Sequence, residues 1–257
     1  MRYLLYLVLF IIIANSCIKH HSHSQSASIC SVNDLPANLR NGLVAFYPFC
    51  GNANDVSGNN NNGIINGATL TTDRFGNKNS AYSFNGTSDK ITVNDNVSLN
   101  PTYISVSLWY QTNDTTKSPQ CLLYKSNWSD ASNEEYAFEI NYGSIGVIVA
   151  GIKQNSSCQP GANWKKTFTN LSNTQWNHFV YTYDGIAAKI WVNGALVTTN
   201  NSITGPMDIC PGGTLTIGAG WSGGNGIGLP DFFNGKLDDI LIYNRALSPS
   251  EVQQLNQ

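Results

Sequence analysis

From Gly42 onward the chain is a series of short apolar runs with strand periodicity. Residues Ile104 to Tyr110 alternate strictly, which predicts a strand with Ile104, Val106, Leu108 and Tyr110 on one buried face. Leu43 to Phe49 is apolar and aromatic. Ala81 to Phe84 and Lys90 to Val93 flank a turn-rich interval, and Tyr136 to Ile140 with Ile145 to Ala150 reads as a hairpin. Trp176 to Tyr183, Ala187 to Val192 and Leu196 to Thr199 predict a meander. Its turns, Asp184-Gly185 and Asn193-Gly194, are dipeptides that suit type I′ hairpins. Leu215 to Gly218 and Lys236 to Tyr243 supply the last strands. One helix is predicted, where Ser248-Pro249-Ser250-Glu251 forms a capping box before Val252 and Leu255. No repeat or linker interrupts residues 42–257. The expectation is one all-β domain, an antiparallel two-sheet jelly-roll sandwich with a short C-terminal helix.

The pattern before Gly42 is different. Arg2 precedes an apolar run from Tyr3 to Ala14, too short to span a bilayer as a helix, so residues 1–16 read as a signal peptide. Ala14-Asn15-Ser16-Cys17 resembles a bacterial lipobox, in which Cys17 is lipidated and becomes the first residue. Ala14 and Ser16 also satisfy ordinary secretory cleavage. Residues 17–41 then serve as a polar tether leading into the domain, and His20, His21 and His23 read as part of a solvated linker. The expected location is the cell envelope, as an outer-membrane lipoprotein held by a lipid anchor, with secretion as the alternative.

Composition narrows the function. Only 12% of the 257 residues are charged, the net charge is −2, and no basic block exists beyond Lys165-Lys166, which argues against nucleic-acid binding. The 33 Asn and 23 Gly suit polar turns between strands. Six Cys agree with export. If Cys17 is lipidated, five remain and one thiol is free; otherwise three bridges can form. Placement favours Cys30–Cys50 at the start of the domain and Cys158–Cys210 between two Gly/Pro loops. Cys121 then stays as a buried thiol, although sequence alone leaves the connectivity open.

Several segments resemble the laminin G-like, concanavalin A-like jelly-roll family of bacterial surface proteins. They are Gly42 to Phe49 with Gly51 to Asn59, Ala81 to Gly86, Ile104 to Trp109, Trp176 to Val180 leading to Tyr183-Asp184-Gly185, Val192-Asn193-Gly194, and Gly235 to Ser248. The resemblance spans about Gly42 to Leu255. Cys50 and the Cys-containing insertions around Cys158 and Cys210 depart from the pattern.

Three kinds of chemistry are candidates. The Asn52 to Gly63 loop could offer Asp55, Asn60 and Asn62 to a structural Ca²⁺, which wants six to eight oxygens, and the resemblance implies a second carboxylate from Asp239. The alternative is a turn held by Asx hydrogen bonds. For catalysis, related glucanase folds use paired carboxylates. The cluster Glu134, Glu135 and Glu139 offers only Glu135 and Glu139 on one face, roughly 13 Å apart along a strand and too far for a retaining pair. His178 in Trp-Asn-His-Phe reads as a packed strand residue. For sugar binding, Trp109, Trp176 and Trp191 lie in strands and read as core. Trp128, Trp164 and Trp221 lie in loop-like surroundings, with Asn127 and Asp130 beside Trp128 to take hydroxyls. The resulting expectation is a non-catalytic, surface-exposed binding module for a glycan. A protein-binding adhesion module, its partner a cell-surface protein, is the second reading, and a glycoside hydrolase or lyase the third.

Overall fold

The computed structural model describes residues 28–116, 119–127, 132–159, 163–171, 173–220 and 230–257. Two antiparallel sheets form the expected jelly-roll sandwich. The first runs β13 (Ala195–Asn200), β12 (Ala188–Val192), β11 (Asn177–Tyr183), β6 (Ile104–Thr112), β17 (Asn234–Tyr243), β4 (Ala81–Asn85) and β3 (Thr69–Thr71). β1 (Leu43–Tyr47) also pairs with β17, beyond β4. The second runs β10 (Trp164–Asn170), β9 (Val147–Lys153), β8 (Tyr136–Ile140), β7 (Gln120–Ser126), β14 (Thr214–Ile217), β5 (Lys90–Val93) and β2 (Gly63–Asn66). A small ribbon, β15 (Ala219–Gly220) with β16 (Asp231–Phe232), packs on β7.

The period-two reading of β6 holds. Ile104, Val106, Leu108 and Tyr110 all join the core between the sheets, which also takes Tyr136, Phe138 and Ile140 of β8. Phe138 meets Phe179 and Tyr181 of β11 at ring separations of 6.0 and 5.5 Å, so aromatic contacts span the two sheets. Of the three Trp read as core, Trp191 is buried while Trp109 and Trp176 keep intermediate exposure.

Both hairpin dipeptides make turns, by different means. Asn193 (φ +49°) and Gly194 (φ +77°) have the paired positive φ of a type I′ turn. At Asp184-Gly185 only the glycine is left-handed; the Asp184 carboxylate instead accepts from the backbone N–H of Ile186 and Ala187, both at 2.8 Å.

The outer face of the first sheet carries a second, smaller core. It is covered by the C-terminal helix α2 (Pro249–Leu255) and by the segment before β1, which includes the short helix α1 (Ala37–Arg40). Leu35, Leu39, Phe46, Val180, Trp191, Leu241 and Val252 meet there. Ser248 caps α2 through the expected box with Glu251. Residues 32–40 are thus built into the domain.

Cys30 bonds Cys50, tying that leading segment to the end of β1, and Cys158 bonds Cys210. The larger loop, of 52 residues, contributes about 4 kcal/mol in the chain-entropy model. Cys121 is the free, buried thiol among the described residues. Cys17 and the rest of residues 1–27 lie outside the described residues, and none of the described helices is long and apolar enough to cross a membrane.

Candidate functional site

The outer face of the second sheet gathers aromatic and charged side chains. Trp164 opens β10, opposite Lys153 of β9. Its strand position departs from the loop expected from the Asn and Gly around it. Beneath the ring lies Gly151, where an added Cβ would come within 2.9 Å of the indole. The glycine therefore lets the indole lie against the sheet. Tyr124 of β7 lies beside it, with ring planes 20° apart and centroids 6.4 Å apart.

The indole edge is fixed by Glu134. Trp164 Nε1 donates to Glu134 Oε2 at 3.2 Å, Tyr124 donates its hydroxyl to Glu134 Oε1, and Lys153 Nζ pairs with Oε2 at 2.9 Å. Lys153 also donates to Gln159 O at 2.9 Å and lies 5.2 Å from the Trp164 ring centre. Trp164 stays half-buried, so part of its ring meets solvent. The result is an aromatic plane on a regular strand, held at its edge by a carboxylate and an ammonium.

A second carboxyl lies deeper. Glu139 of β8, 4% exposed, is paired with Cys121 of β7, and its Oε2 has no hydrogen-bond partner. Burial, then the charges of Asp231 and Glu134, push it up to about 8, with Lys166 opposing. At neutral pH it is therefore a neutral acid. Burial, followed by the charges of Glu139 and Asp231, pushes the Cys121 thiol well up, so it is no nucleophile at neutral pH.

Glu135 does not share this environment. Its carboxyl accepts from the backbone N–H of Cys210 and lies near Lys125, and burial pushes it up to about 7. Strand alternation puts Glu135 and Glu139 on one face but too far apart to act as a pair, and the charges that act on Glu139 are those of Asp231, Lys166 and Glu134.

The remaining sugar-binding candidates are dispersed or undescribed. Asn127 follows β7, its N–H donating to Ser132 O at 2.7 Å. Trp128, Asp130 and Trp221 lie outside the described residues.

The expected calcium ligands are engaged otherwise. Asp55 Oδ1 accepts from the N–H of Phe46 and Ser57, at 2.9 and 2.8 Å. Its Oδ2 accepts from the Ser57 hydroxyl and the N–H of Asn61, at 2.9 and 3.0 Å. Asn62 Oδ1 accepts from Asp55 N–H at 3.0 Å, and Asn60 is exposed at φ +59°. Asp239 pairs with Arg74 at 2.7 Å. Four donors and a guanidinium already surround the two carboxylates, so as arranged these residues do not fit a cation; the loop is an Asx-stabilised turn. Melting curves with calcium and with chelator are expected to coincide. Asp55→Ala should instead cost about 1–3 kcal/mol, because it leaves backbone donors unmatched. A chelator-induced fall in melting temperature of several degrees would restore the metal.

Arg74 organises a further polar centre on the outer face of the first sheet. Its Nη1 reaches Asp238 and Asp239 at 2.8 and 2.7 Å, and its guanidinium lies 4.2 Å from the Phe75 ring centre and 4.4 Å from that of Trp109. Consecutive strand residues normally point to opposite faces. Here a bulge in β17 between Asp238 and Leu241, with Asp239 at φ +43°, lets both carboxylates meet one cation. Burial and the neighbouring Asp239 push Asp238 well up, with Arg74 opposing. His178 stacks on Trp109 at 4.9 Å and its Nε2 shares a 2.8 Å hydrogen bond with Ser107. Burial, then the Arg74 charge, push His178 down to about 3, so the ring is neutral and packed in its strand.

Residues 85–253 match the concanavalin A-like lectin/glucanases superfamily, which is most of the chain and agrees with the two-sheet topology. The chain belongs to that superfamily. A comparison with curated proteins finds no match in sequence. Among solved structures, this superfamily member is similar to domain 4 of AbnA, a GH43 extracellular arabinanase from Geobacillus stearothermophilus, in complex with arabinotriose. The TM-score is 0.62 at 20% identity, over 84% of this chain and 98% of that one. It is also similar to the receptor binding domain of botulinum neurotoxin C/D mosaic serotype, with a TM-score of 0.63 at 16% identity, over 84% of this chain and 51% of that one. The binding domain of botulinum neurotoxin DC in complex with SialylT gives 0.63 at 15%, over 85% and 52%. This superfamily member thus spans about half the length of the toxin domains, and at these identities the likeness is one of fold.

Three residues of the Trp164 site escape a reading of sequence alone. Lys153 looks like an ordinary surface charge, Glu134 is visible only as one of three clustered glutamates, and Gly151 interrupts an apolar run. The available signal is Gly151 within a strand, which marks a close approach by another group.

Proposed function

We propose that the protein is a non-catalytic glycan-binding module, exported and held at the cell envelope by a lipid on Cys17. The observation that carries this reading is Trp164, an indole laid on Gly151 and locked at its edge by Glu134. Sugars stack their apolar C–H face on such a ring while polar neighbours take the hydroxyls. The arabinotriose bound to the arabinanase domain supports it, as does the SialylT complex of a toxin domain. Both disulfides agree with an oxidising compartment. A binding rather than hydrolytic role is supported by the state of the carboxyls. Glu134 is committed to three donors, and Glu139 is buried.

A glycan array followed by titration of the best hit tests the reading. Trp164→Ala is expected to weaken binding about thirtyfold or more, the size of a binding hot spot. Trp164→Phe should keep part of it, and incubation with the hit should release no reducing ends. Unchanged affinity in Trp164→Ala would remove the site, and sugar release would reinstate hydrolysis.

One observation favours protein binding as a second reading. The edge strand β13 exposes Leu196 and Val197, at 47% and 46%. A toxin binding domain of similar fold is found in complex with rat synaptotagmin II. Charged substitutions at Leu196 and Val197 that abolish cell-surface adhesion but leave glycan binding intact would support it.

A further inference from the structure

Strand β10 carries more than Trp164. Alternation puts Trp164, Lys166 and Phe168 on one face of the strand. β10 is the edge of the second sheet and faces β13, the edge of the first. The two edges meet through side chains: Thr198 Oγ1 donates to Phe168 O at 3.0 Å, and Asn200 Nδ2 to Lys166 O at 3.3 Å.

Between the strands lies an open groove of about 600 Å³, lined by Lys166, Thr167, Phe168, Thr198, Asn200 and Ser202 among others. Thr167 is 1% exposed, and its hydroxyl has no hydrogen-bond partner. Phe168 is 47% exposed, and its ring lies 6.3 Å from that of Tyr142. Lys166 is held over Tyr142, its ammonium 4.1 Å from the ring centre and donating to the hydroxyl. Lys166 also links the groove to the Trp164 face, because it stands between Trp164 and Phe168 on the same side of β10.

This chemistry selects an occupant. The lining offers hydroxyls, amides and one exposed ring, and its one charge, the Lys166 ammonium, is already turned onto Tyr142. An added peptide strand needs free backbone acceptors along the edge, but those of Lys166 and Phe168 are already taken. A polyhydroxylated neutral chain suits the groove better. Four residues of strand separate Trp164 from Phe168, or about 13 Å, so a single sugar cannot reach both rings.

We propose that the Trp164 face and the β10–β13 groove form one continuous track for a neutral linear oligosaccharide. One end stacks on Trp164, and the other lies across Phe168 and is hydrogen-bonded by Thr198 and Asn200. This rests on the glycan reading above and adds the ligand's length and path.

Calorimetric titration of the full chain with neutral arabino-, xylo- and cello-oligosaccharides of increasing length tests it. In the series that binds, affinity should rise at least tenfold from the shortest to the longest member. Phe168→Ala and Thr198→Val should each lower affinity for the longest about three- to tenfold, leave the shortest unchanged and preserve the melting temperature. Trp164→Ala should weaken both. If affinity is independent of length, or the groove variants bind the longest chain normally while Trp164→Ala does not bind, the track is wrong and the Trp164 site survives. If none of these oligosaccharides binds the native chain, the track and the glycan reading fall together.

Discussion

Replacing Arg74 by alanine is expected to cost about 3–5 kcal/mol of folding stability, the range for removing one partner of a buried ion pair. Arg74, Asp238 and Asp239 have side chains only 8%, 3% and 13% exposed. Without the guanidinium, two adjacent carboxylates face each other in a site that water scarcely reaches. The contacts of the cation with Phe75 and Trp109 are lost as well. Protonation is the only relief available to the variant, so its deficit should be larger at pH 8 than at pH 5. Urea denaturation at the two pH values measures this. Adding Asp238→Asn and Asp239→Asn to the variant should recover part of the loss, since no buried charge then remains unpaired. A deficit below about 1 kcal/mol, or a triple variant no better than the single one, would show that the cluster is not the clamp inferred here.

Glu139→Gln is expected to act in the opposite direction, stabilising the protein at alkaline pH. The native carboxyl titrates near 8, against 4.5 for an unperturbed glutamate. Between those values the folded state keeps a proton that the unfolded state has lost. Stability therefore falls as pH rises, by about 1.4 kcal/mol per pH unit for one such group. By pH 8 the accumulated penalty is of order 4–5 kcal/mol. Glutamine has nearly the same shape and carries no charge, so the variant should match the native protein near pH 4.5 and exceed it by several kcal/mol at pH 8. The groups that set the titration are Asp231 of β16, Glu134 before β8 and Lys166 of β10. Glu135, pushed up to about 7, keeps a slope of its own in both proteins up to that pH. Parallel curves of stability against pH would show that Glu139 is ionised in the fold.

Edge strands explain where a reading of the sequence falls short of the fold. β6, β8, β11 and β17 are flanked on both sides, and their alternation or apolar runs are visible in sequence. β2 and β10 are edges of the second sheet. β2 exposes Ile64 and Ile65, at 52% and 46%, so neighbouring residues on both of its faces meet solvent and no alternation marks it. β10 buries Thr167 while leaving Phe168 exposed, which inverts the usual pattern and makes Trp164 look like a loop residue. The carboxylates follow the same logic. Glu135 and Glu139 share a face in a regular strand, yet their neighbours differ, because the residues before β8 reach Lys125 and Cys210 instead.

What the sequence determined by itself is local or statistical. Period-two hydrophobicity, the Asn193-Gly194 turn, the Ser248 capping box and the ordered segments of the resemblance were enough for a two-sheet jelly roll. The placement of four cysteines favoured the two pairings that form but left the connectivity open. The tertiary structure alone decided which side chains meet across strands far apart in the chain. Arg74, an isolated cation in a turn, acquires its role from a bulge 164 residues away that turns Asp238 and Asp239 to the same side. Asp55 and Asp239 are drawn to N–H donors and a guanidinium rather than to each other. The groove between β10 and β13 exists only because the edges of two different sheets stand side by side. Periodicity reports the face a residue occupies, because that is set by its own strand. Which residue lies opposite is set by register, bulges and sheet order, and these depend on the whole chain at once.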